Sequence, residues 1–155
     1  MTPELKAEVL KALRGDQYPQ GKECLMHIDL GGYASYCCLG VITIIAGGKR
    51  IDPFKETRYN SGIAVTFGYK DEELANDSFI PMDLADEIGM SYDGYFERTP
   101  EIDQWFKDNP LTEEEEVNPF KHHLNLNVDN IRALYQMNDL GYKFPQIADF
   151  IERFF

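Results

Sequence analysis

A short apolar run from Tyr36 to Ala46 constrains the fold of this chain more than any other feature. The run is too short to cross a lipid bilayer, which takes about 20 apolar residues in a helix. Its Val, Ile and Thr residues favour a buried strand, whereas Gly40 and the following Gly47-Gly48, a typical helix stop, favour a helix. We therefore predict a buried helix, around which the other elements pack.

Acidic side chains outnumber basic ones by 27 to 15, so the formal net charge is −12. Proteins that bind duplex nucleic acid through its phosphates present a basic face, so we expect no direct duplex ligand. The charge is compatible with a small anionic ligand held by a few local cations or backbone N–H groups, and with a basic protein partner. With 155 residues, 43% of them hydrophobic, the chain is long enough for one domain with a sizeable core.

The three cysteines, Cys24, Cys37 and Cys38, are predicted to be free thiols. Three cysteines cannot all pair with one another, and a disulfide between neighbours in sequence has strained geometry. The first residues, Met1 to Arg14, carry several charges in place of the apolar stretch of a secretory signal. We expect a reduced, cytoplasmic protein with no membrane segment.

Cap residues and helical spacing predict several short helices besides the central one. The last two are expected to form an antiparallel pair across a turn at Gly141, whose φ angle should be positive. The final helix carries apolar residues at helical spacing, which must dock on the core. Helices are predicted to begin at Thr2-Pro3-Glu4, at Pro81, at Thr99-Pro100-Glu101, at Thr112 with Glu115, at Asp129-Asn130 and at Phe144.

Alternating apolar residues predict a small antiparallel sheet. The segments 24–29 and 33–36 flank Gly31-Gly32 and indicate a β-hairpin, and residues 63–67 alternate as a further strand should. The polar stretch 49–60 is predicted to be a loop. We predict a single α+β domain over residues 1–155, in which this sheet packs against several short helices.

Short motifs lie near the start, in the middle and at the end of the chain. They comprise Leu13-Arg14, Tyr18, Gln20-Gly21 and Leu25, then Tyr36 to Val41, and finally Asn138-Asp139, Gly141, Phe144, Ile147-Ala148 and Ile151-Glu152. In order and spacing they resemble L-R-S-G-x-Y-x-Q-G, Y-C-C-L-G-V-L and L-N-D-x-G-x-S-F-x-x-I-A-x-x-I-E, the patterns of an uncharacterised family of small phage and prophage proteins. The chain departs from these patterns at Gly15-Asp16, in place of Ser-Gly, and at Lys143, in place of Ser. The resemblance implies the family's fold and a viral setting.

Polar and aromatic residues of these motifs fall in predicted turns, where binding residues collect. We predict that Tyr18, Gln20, Gly21, Asn138 and Asp139 line one ligand-binding pocket. Arg14 would be available there to hold an anion. The structural alternative is ordinary turn chemistry between two helices.

The aromatic residues Tyr92, Tyr95 and Phe96 surround Gly94 in another predicted loop. They indicate either a mobile binding loop or a satellite hydrophobic cluster.

A catalytic alternative centres on Cys38 at the start of the central helix. A helix N-terminus lowers the pKa of a thiol, and His27, His122 or His123 can serve as the base of a Cys-His pair. The structural alternative is that Cys37 and Cys38 are small packing residues, as most free cysteines are. No metal or cofactor is predicted, because adjacent cysteines lack the spacing of a zinc site and neighbouring histidines point apart.

Two classes of function are compatible with these observations. The one we predict is a phage or prophage accessory binding protein that neutralises a host factor. It would act as an anti-defence protein, either sequestering a small, nucleotide-like anionic signal or occupying the surface of a host protein. The alternative is a cysteine-dependent hydrolase or transferase centred on Cys38.

Overall fold

The strands all lie in the first half of the chain in the computed structural model, which describes residues 1–51, 57–59, 62–71, 73, 75–111 and 128–155. The helices in this part of the chain are α1 (Pro3–Arg14), α2 (Cys38–Ile45), α3 (Met82–Ile88), α4 (Pro100–Asp108), α5 (Leu134–Leu140) and α6 (Phe144–Phe154). The strands are β1 (Met26–Asp29), β2 (Ala34–Tyr36), β3 (Lys49–Arg50), β4 (Thr57–Tyr59), β5 (Gly62–Ala64) and β6 (Phe67–Gly68). The predicted α+β class is confirmed.

Strands β1 and β2 form the predicted hairpin, with Met26 opposite Tyr36. The sheet has the antiparallel order β2-β1-β5-β4, and β1 pairs with β5 through His27 and Ala64. The predicted strand 63–67 is in fact two strands, because β6 leaves this sheet and pairs with β3 instead. The prediction of a loop over 49–60 is therefore wrong at β3 and β4, since short polar strands give no clear alternation.

Helix α2 is the predicted central helix, and its first six residues are buried. Its N-cap is Cys37, whose sulfur accepts a hydrogen bond of 3.4 Å from the Gly40 N–H. A Cβ atom added at Gly40 would overlap the carbonyl group of Leu25, so the helix lies directly on the backbone that leads into β1. Beyond the helix, Gly47 takes a φ of +95°, which suits glycine because it has no Cβ atom.

Helices α1 and α6, from the two ends of the sequence, pack side by side. The predicted threonine caps of α1 and α4 form, since the Oγ1 atom of Thr2 accepts a hydrogen bond from Leu5 and that of Thr99 accepts one from Ile102. Along the pair, Lys6 Nζ donates to the Glu152 carbonyl at 2.9 Å. Within the described segments, no helix combines the length and apolar character that crossing a membrane requires.

The segment before α6 differs from its prediction in detail. The predicted helix over 130–137 is wrong in its bounds, because a 3-10 turn at Val128–Asn130 comes first and α5 begins only at Leu134. Asn138, expected in an exposed turn, lies inside α5 and is fully buried. Gly141 ends the helix with a φ of +127°, as predicted. The predicted capping box at Thr112 lies outside the described residues.

The core contains most of the apolar residues expected from helical spacing. The helical spacing of Met82, Ala85 and Ile88 predicts one buried face, but Met82 is 57% exposed and α3 buries Leu84 together with the other two. A cluster of aromatic rings beneath α4 and α6 adds a part of the core that periodicity did not indicate. Its members are Phe96, Trp105, Phe106, Tyr142 and Phe150.

Candidate functional site

The predicted site residues separate into two groups. Gln20, Gly21, Asn138 and Asp139 come together, and we call these four residues the Asn138 hub. Arg14 forms ion pairs on α6 instead, 2.7 Å from Asp149 and 2.5 Å from Glu152. Tyr18 packs edge-on against the Tyr36 ring, with the two ring centroids 5.2 Å apart.

Asn138 is the centre of the hub and uses its whole hydrogen-bonding capacity. Its Oδ1 atom accepts from Gln20 Nε2 at 3.1 Å and from the backbone N–H of Cys38 at 3.3 Å. Its Nδ2 atom donates to the Gly21 carbonyl at 2.9 Å and to Asp139 Oδ1 at 3.3 Å. An asparagine side chain has two donors and two acceptor lone pairs, so all four positions are taken.

Gln20 connects the same hub to the start of α6. Its Nε2 atom also donates to the Tyr142 carbonyl at 2.7 Å, and its Oε1 atom accepts from the Phe144 N–H at 3.1 Å. The backbone around it is held to β2, because Gly21 donates to the Tyr36 carbonyl. The amide of Gln20 therefore cross-links the segment before β1 to the turn between α5 and α6.

Asp139 holds the backbone on the other side of the hub. Its Oδ1 atom accepts from the Glu23 N–H at 3.1 Å, where Glu23 has a φ of +70° that L residues rarely adopt. Burial raises the pKa of Asp139, an effect that its hydrogen bonds from Glu23 and Asn138 partly oppose. Burial has the opposite effect on an amine, so it lowers the pKa of Lys22. The Nζ atom of Lys22 donates to the Asp139 carbonyl at 3.4 Å.

The Asn138 hub therefore holds segments of the fold together with its own polar groups. The side-chain amides of Gln20 and Asn138 are bound to protein, which leaves them few donors for a ligand. This geometry is structural, but it is not the turn chemistry considered from sequence, because Asn138 lies inside α5 and bonds segments that are distant along the chain. A ligand-binding role for them stays a prediction.

Cys38 does not have the environment of a nucleophile. Its side chain is fully buried, and its Sγ atom donates to the Leu134 carbonyl at 3.4 Å. Burial raises the pKa of Cys38 well above its ordinary value, and raises that of Cys37 to about 12. A helix N-terminus is expected to lower the pKa of a thiol, but here burial outweighs that effect because no water reaches the sulfur.

Of the three histidines predicted as possible bases, only His27 lies among the described residues. The Nε2 atom of His27 is buried and has no hydrogen-bond partner among the described residues, and His27 lies on β1, paired with Ser35 and Ala64. His122 and His123 lie outside the described residues. Of the residues that the structure describes, no three His, Cys, Asp or Glu side chains are grouped so as to hold a metal ion.

A cleft of about 360 Å³ lies between α4 and the segment that leads into α5. Three cationic side chains line it, and we call it the cationic cleft. Arg98 is held firmly: it bonds Asp103 through Nε at 2.6 Å and the Val128 carbonyl through NH1 at 2.9 Å. Its guanidinium also lies 4.6 Å from the centroid of the Phe106 ring. The lining residues are Arg98, Asp103, Phe106, Lys107, Val128, Asp129 and Arg132.

Lys107 and Arg132 are the more available cations of the cleft. Arg132 uses one guanidinium nitrogen, NH1, on the backbone carbonyls of Asp129 and Ile131 at 3.0 and 2.8 Å. Lys107 is exposed and forms no hydrogen bond within the described part of the chain. Sequence reasoning missed this site, because its cations are dispersed among acidic residues and form no motif.

A second cleft, of about 480 Å³, lies at the end of α1. Its charged groups are Glu8, Lys11 and Asp16, so acidic side chains outnumber the single lysine. An anion would be repelled there more than it would be attracted, which distinguishes this cleft from the cationic cleft.

Comparisons with known proteins identify a family and no function. A family model described as "Domain of unknown function (DUF8296)" matches residues 1–155. No curated protein matches the chain, and no solved structure matches it.

Proposed function

This chain belongs to the DUF8296 family, and we propose that it is an accessory binding protein that holds a small anionic ligand in the cationic cleft. The observation that carries the proposal is the grouping of Arg98, Lys107 and Arg132 in one cleft of a chain whose net charge is −12. Asp103 and Asp129 also line the cleft, so its cations exceed its carboxylates by one, which is a local excess of positive charge on a chain that is acidic overall.

The three cations have different roles in this proposal. Arg98 is a fixed positive charge, because Asp103, Val128 and the Phe106 ring hold its guanidinium. Lys107 and Arg132 keep donors that can turn toward a ligand, and charge-assisted hydrogen bonds to phosphate oxygens are stronger than neutral ones. A ligand with one or more phosphate groups suits this arrangement.

The size of the cleft also supports a small molecule. Its volume of about 360 Å³ falls within the range of about 300–1,000 Å³ that ligand sites occupy. The proposed class is therefore a nucleotide-like anion. The cleft has few apolar walls besides Phe106, so recognition would depend mainly on charge.

The wider setting of the proposal comes from the sequence. The motifs at Leu13-Arg14, Tyr36 to Val41 and Asn138-Asp139 resemble those of phage and prophage proteins. A viral protein that binds a nucleotide-like signal in the host cytoplasm would neutralise a host factor by sequestration. Binding without chemistry is also favoured by the buried, hydrogen-bonded thiol of Cys38.

Isothermal titration of the purified chain with adenosine, AMP, ADP and ATP tests the proposal. Affinity should rise with the number of phosphates, and adenosine should not bind. The double variant Lys107→Gln/Arg132→Gln should weaken binding by at least about a hundredfold, since two charge-assisted bonds at about 1.5 to 3 kcal/mol each contribute about 3 kcal/mol or more.

The matched control is Lys11→Gln/Lys49→Gln, which removes two positive charges, one in the second cleft and one in β3, both outside the cationic cleft. This control should leave the affinity for nucleotides unchanged, because it alters the net charge of the chain but no residue of the cationic cleft. Equal binding by the wild type and the double variant, or no binding of any phosphorylated nucleotide by the wild type, would refute the proposal.

A further inference from the structure

A group of aromatic side chains lies on the surface formed by the loop 91–95 and its neighbours. Tyr92 and Tyr95 are 47% and 54% exposed. Phe79 contacts Tyr92 and Tyr135 edge-on, with ring centroids 5.4 Å apart in both pairs. The backbone of Tyr95 pairs with Ala133 in the segment that carries Tyr135. We call Phe79, Tyr92, Tyr95 and Tyr135 the tyrosine patch.

The loop that carries the patch is held in place, in contrast to the mobile loop considered from sequence. The Tyr95 N–H donates to the Ser91 hydroxyl at 2.5 Å and to Asp93 Oδ1 at 3.0 Å. The Ile80 N–H donates to the Tyr92 carbonyl at 3.0 Å. Because the backbone of the loop is already held, binding of a partner would not carry the cost of ordering the loop.

Acidic side chains accompany the tyrosines. Asp93 lies in the turn between Tyr92 and Tyr95, and Glu97 is exposed two residues beyond Tyr95, on the other side of the buried Phe96. Because side chains point to alternate sides along an extended backbone, Tyr95 and Glu97 lie on the same side of the segment 95–97. Arg132 on the paired segment lines the cationic cleft instead.

We propose that the tyrosine patch is a docking surface for an arginine-bearing segment of a partner protein. A guanidinium group stacks on an aromatic ring and pairs with a carboxylate at the same time, so tyrosines beside Asp93 and Glu97 match its chemistry. Tyrosine is also enriched among the residues that contribute most to protein interfaces. The proposal is independent of the anion site.

A second copy of the chain is the less favourable occupant. Each copy carries a net charge of −12, and a two-fold contact through this patch would bring the carboxylates of Asp93 and Glu97 close to those of the other copy. Like charges that face each other across an interface disfavour association. Charge complementarity therefore selects a basic partner.

Fluorescence anisotropy with labelled peptides tests the surface. The probes are short peptides in which glycine alternates with arginine, lysine or glutamate, at about 0.15 M salt, where charges beyond about 8 Å are screened. The arginine peptide should bind more tightly than the lysine peptide, and the glutamate peptide should not bind. The variant Tyr92→Ala/Tyr95→Ala keeps every charge and should lose at least about tenfold in affinity for the arginine peptide.

The matched control is Tyr33→Ala, at a tyrosine that is 77% exposed in the β1–β2 turn. It should bind the arginine peptide as the wild type does. Unchanged binding by the Tyr92→Ala/Tyr95→Ala variant would overturn the proposal, because attraction to overall charge alone would then explain the affinity. A wild-type dimer in sedimentation velocity that this variant converts to monomer would also overturn it, in favour of self-association.

Discussion

The Asn138 hub and the cationic cleft are both polar, but they use their polar groups in opposite ways. In the hub, a fully buried amide makes four hydrogen bonds to its own chain. In the cleft, Lys107 is exposed and Arg132 binds backbone carbonyls through only one guanidinium nitrogen. Polar groups that are saturated by the protein stabilise the fold, whereas groups that keep free donors are available to a ligand.

Asn138→Ala should produce the largest loss of stability. The substitution removes four hydrogen bonds and leaves the Gly21 carbonyl and the Cys38 N–H without their partner in a buried place. We expect a decrease of about 3 to 5 kcal/mol in the free energy of unfolding, measured by denaturant titration. A decrease below about 1 kcal/mol would mean that the hub does not hold the fold together.

Gly141→Val should have the next largest effect, since it strains the turn that follows the hub. At a φ of +127°, a side chain meets backbone atoms, and a β-branched one meets most. Gly141→Ala should cost about 1 kcal/mol or more, and Gly141→Val should cost more than that. Equal melting temperatures for the two variants and the wild type would show that a side chain at position 141 does not strain the turn.

Asp139→Asn should change how stability depends on pH. Burial raises the pKa of Asp139 above 3.8, so the folded chain holds this proton more tightly than the unfolded chain does. Ionisation therefore destabilises the fold, and the stability linked to the protonated form is lost as the pH rises from 3.8 through the folded pKa.

The asparagine variant keeps an oxygen for the Glu23 N–H and does not ionise. Its free energy of unfolding, relative to that of the wild type, should increase between about pH 4 and pH 7, measured by denaturant titration across that range. A difference that stays constant with pH would show that Asp139 has an ordinary pKa.

Lys107→Gln/Arg132→Gln should have the smallest effect on stability. Both side chains are exposed, and surface substitutions of this kind usually change the free energy of unfolding by less than about 0.5 kcal/mol. Thermal unfolding of the double variant should therefore match that of the wild type, while its affinity for nucleotides falls as stated above. A large drop in melting temperature would mean that the cleft, like the hub, serves the fold.

Much of the fold could be predicted from sequence because its signals are local. The threonine caps of α1 and α4, the hairpin and the buried central helix all follow from spacing within a few residues. The strands β3, β4 and β6 could not be predicted in the same way, because two or three residues are too few to show a period.

The candidate sites depend on contacts between distant parts of the sequence. The hub joins Gln20 to Asn138, and motif reasoning brought these residues together but did not reveal that they would saturate each other. The cleft joins Arg98, Lys107 and Arg132, which no pattern relates. Net charge predicted an acidic surface, but it carries no information about where the few cations gather.

The contact of Gly40 with Leu25 explains why the Cys-Cys-Leu-Gly motif has its composition. Any side chain at Gly40 would push the helix away from the backbone beneath it, and larger residues at Cys37 or Cys38 would displace the cap or the bond to Leu134. Two adjacent thiols at a helix start suggest redox or nucleophilic chemistry at first sight. In this fold both sulfurs lie in the packed core, where one caps α2 and the other bonds the Leu134 carbonyl, so a sequence with the same motif can be examined for tight packing before it is examined for catalysis.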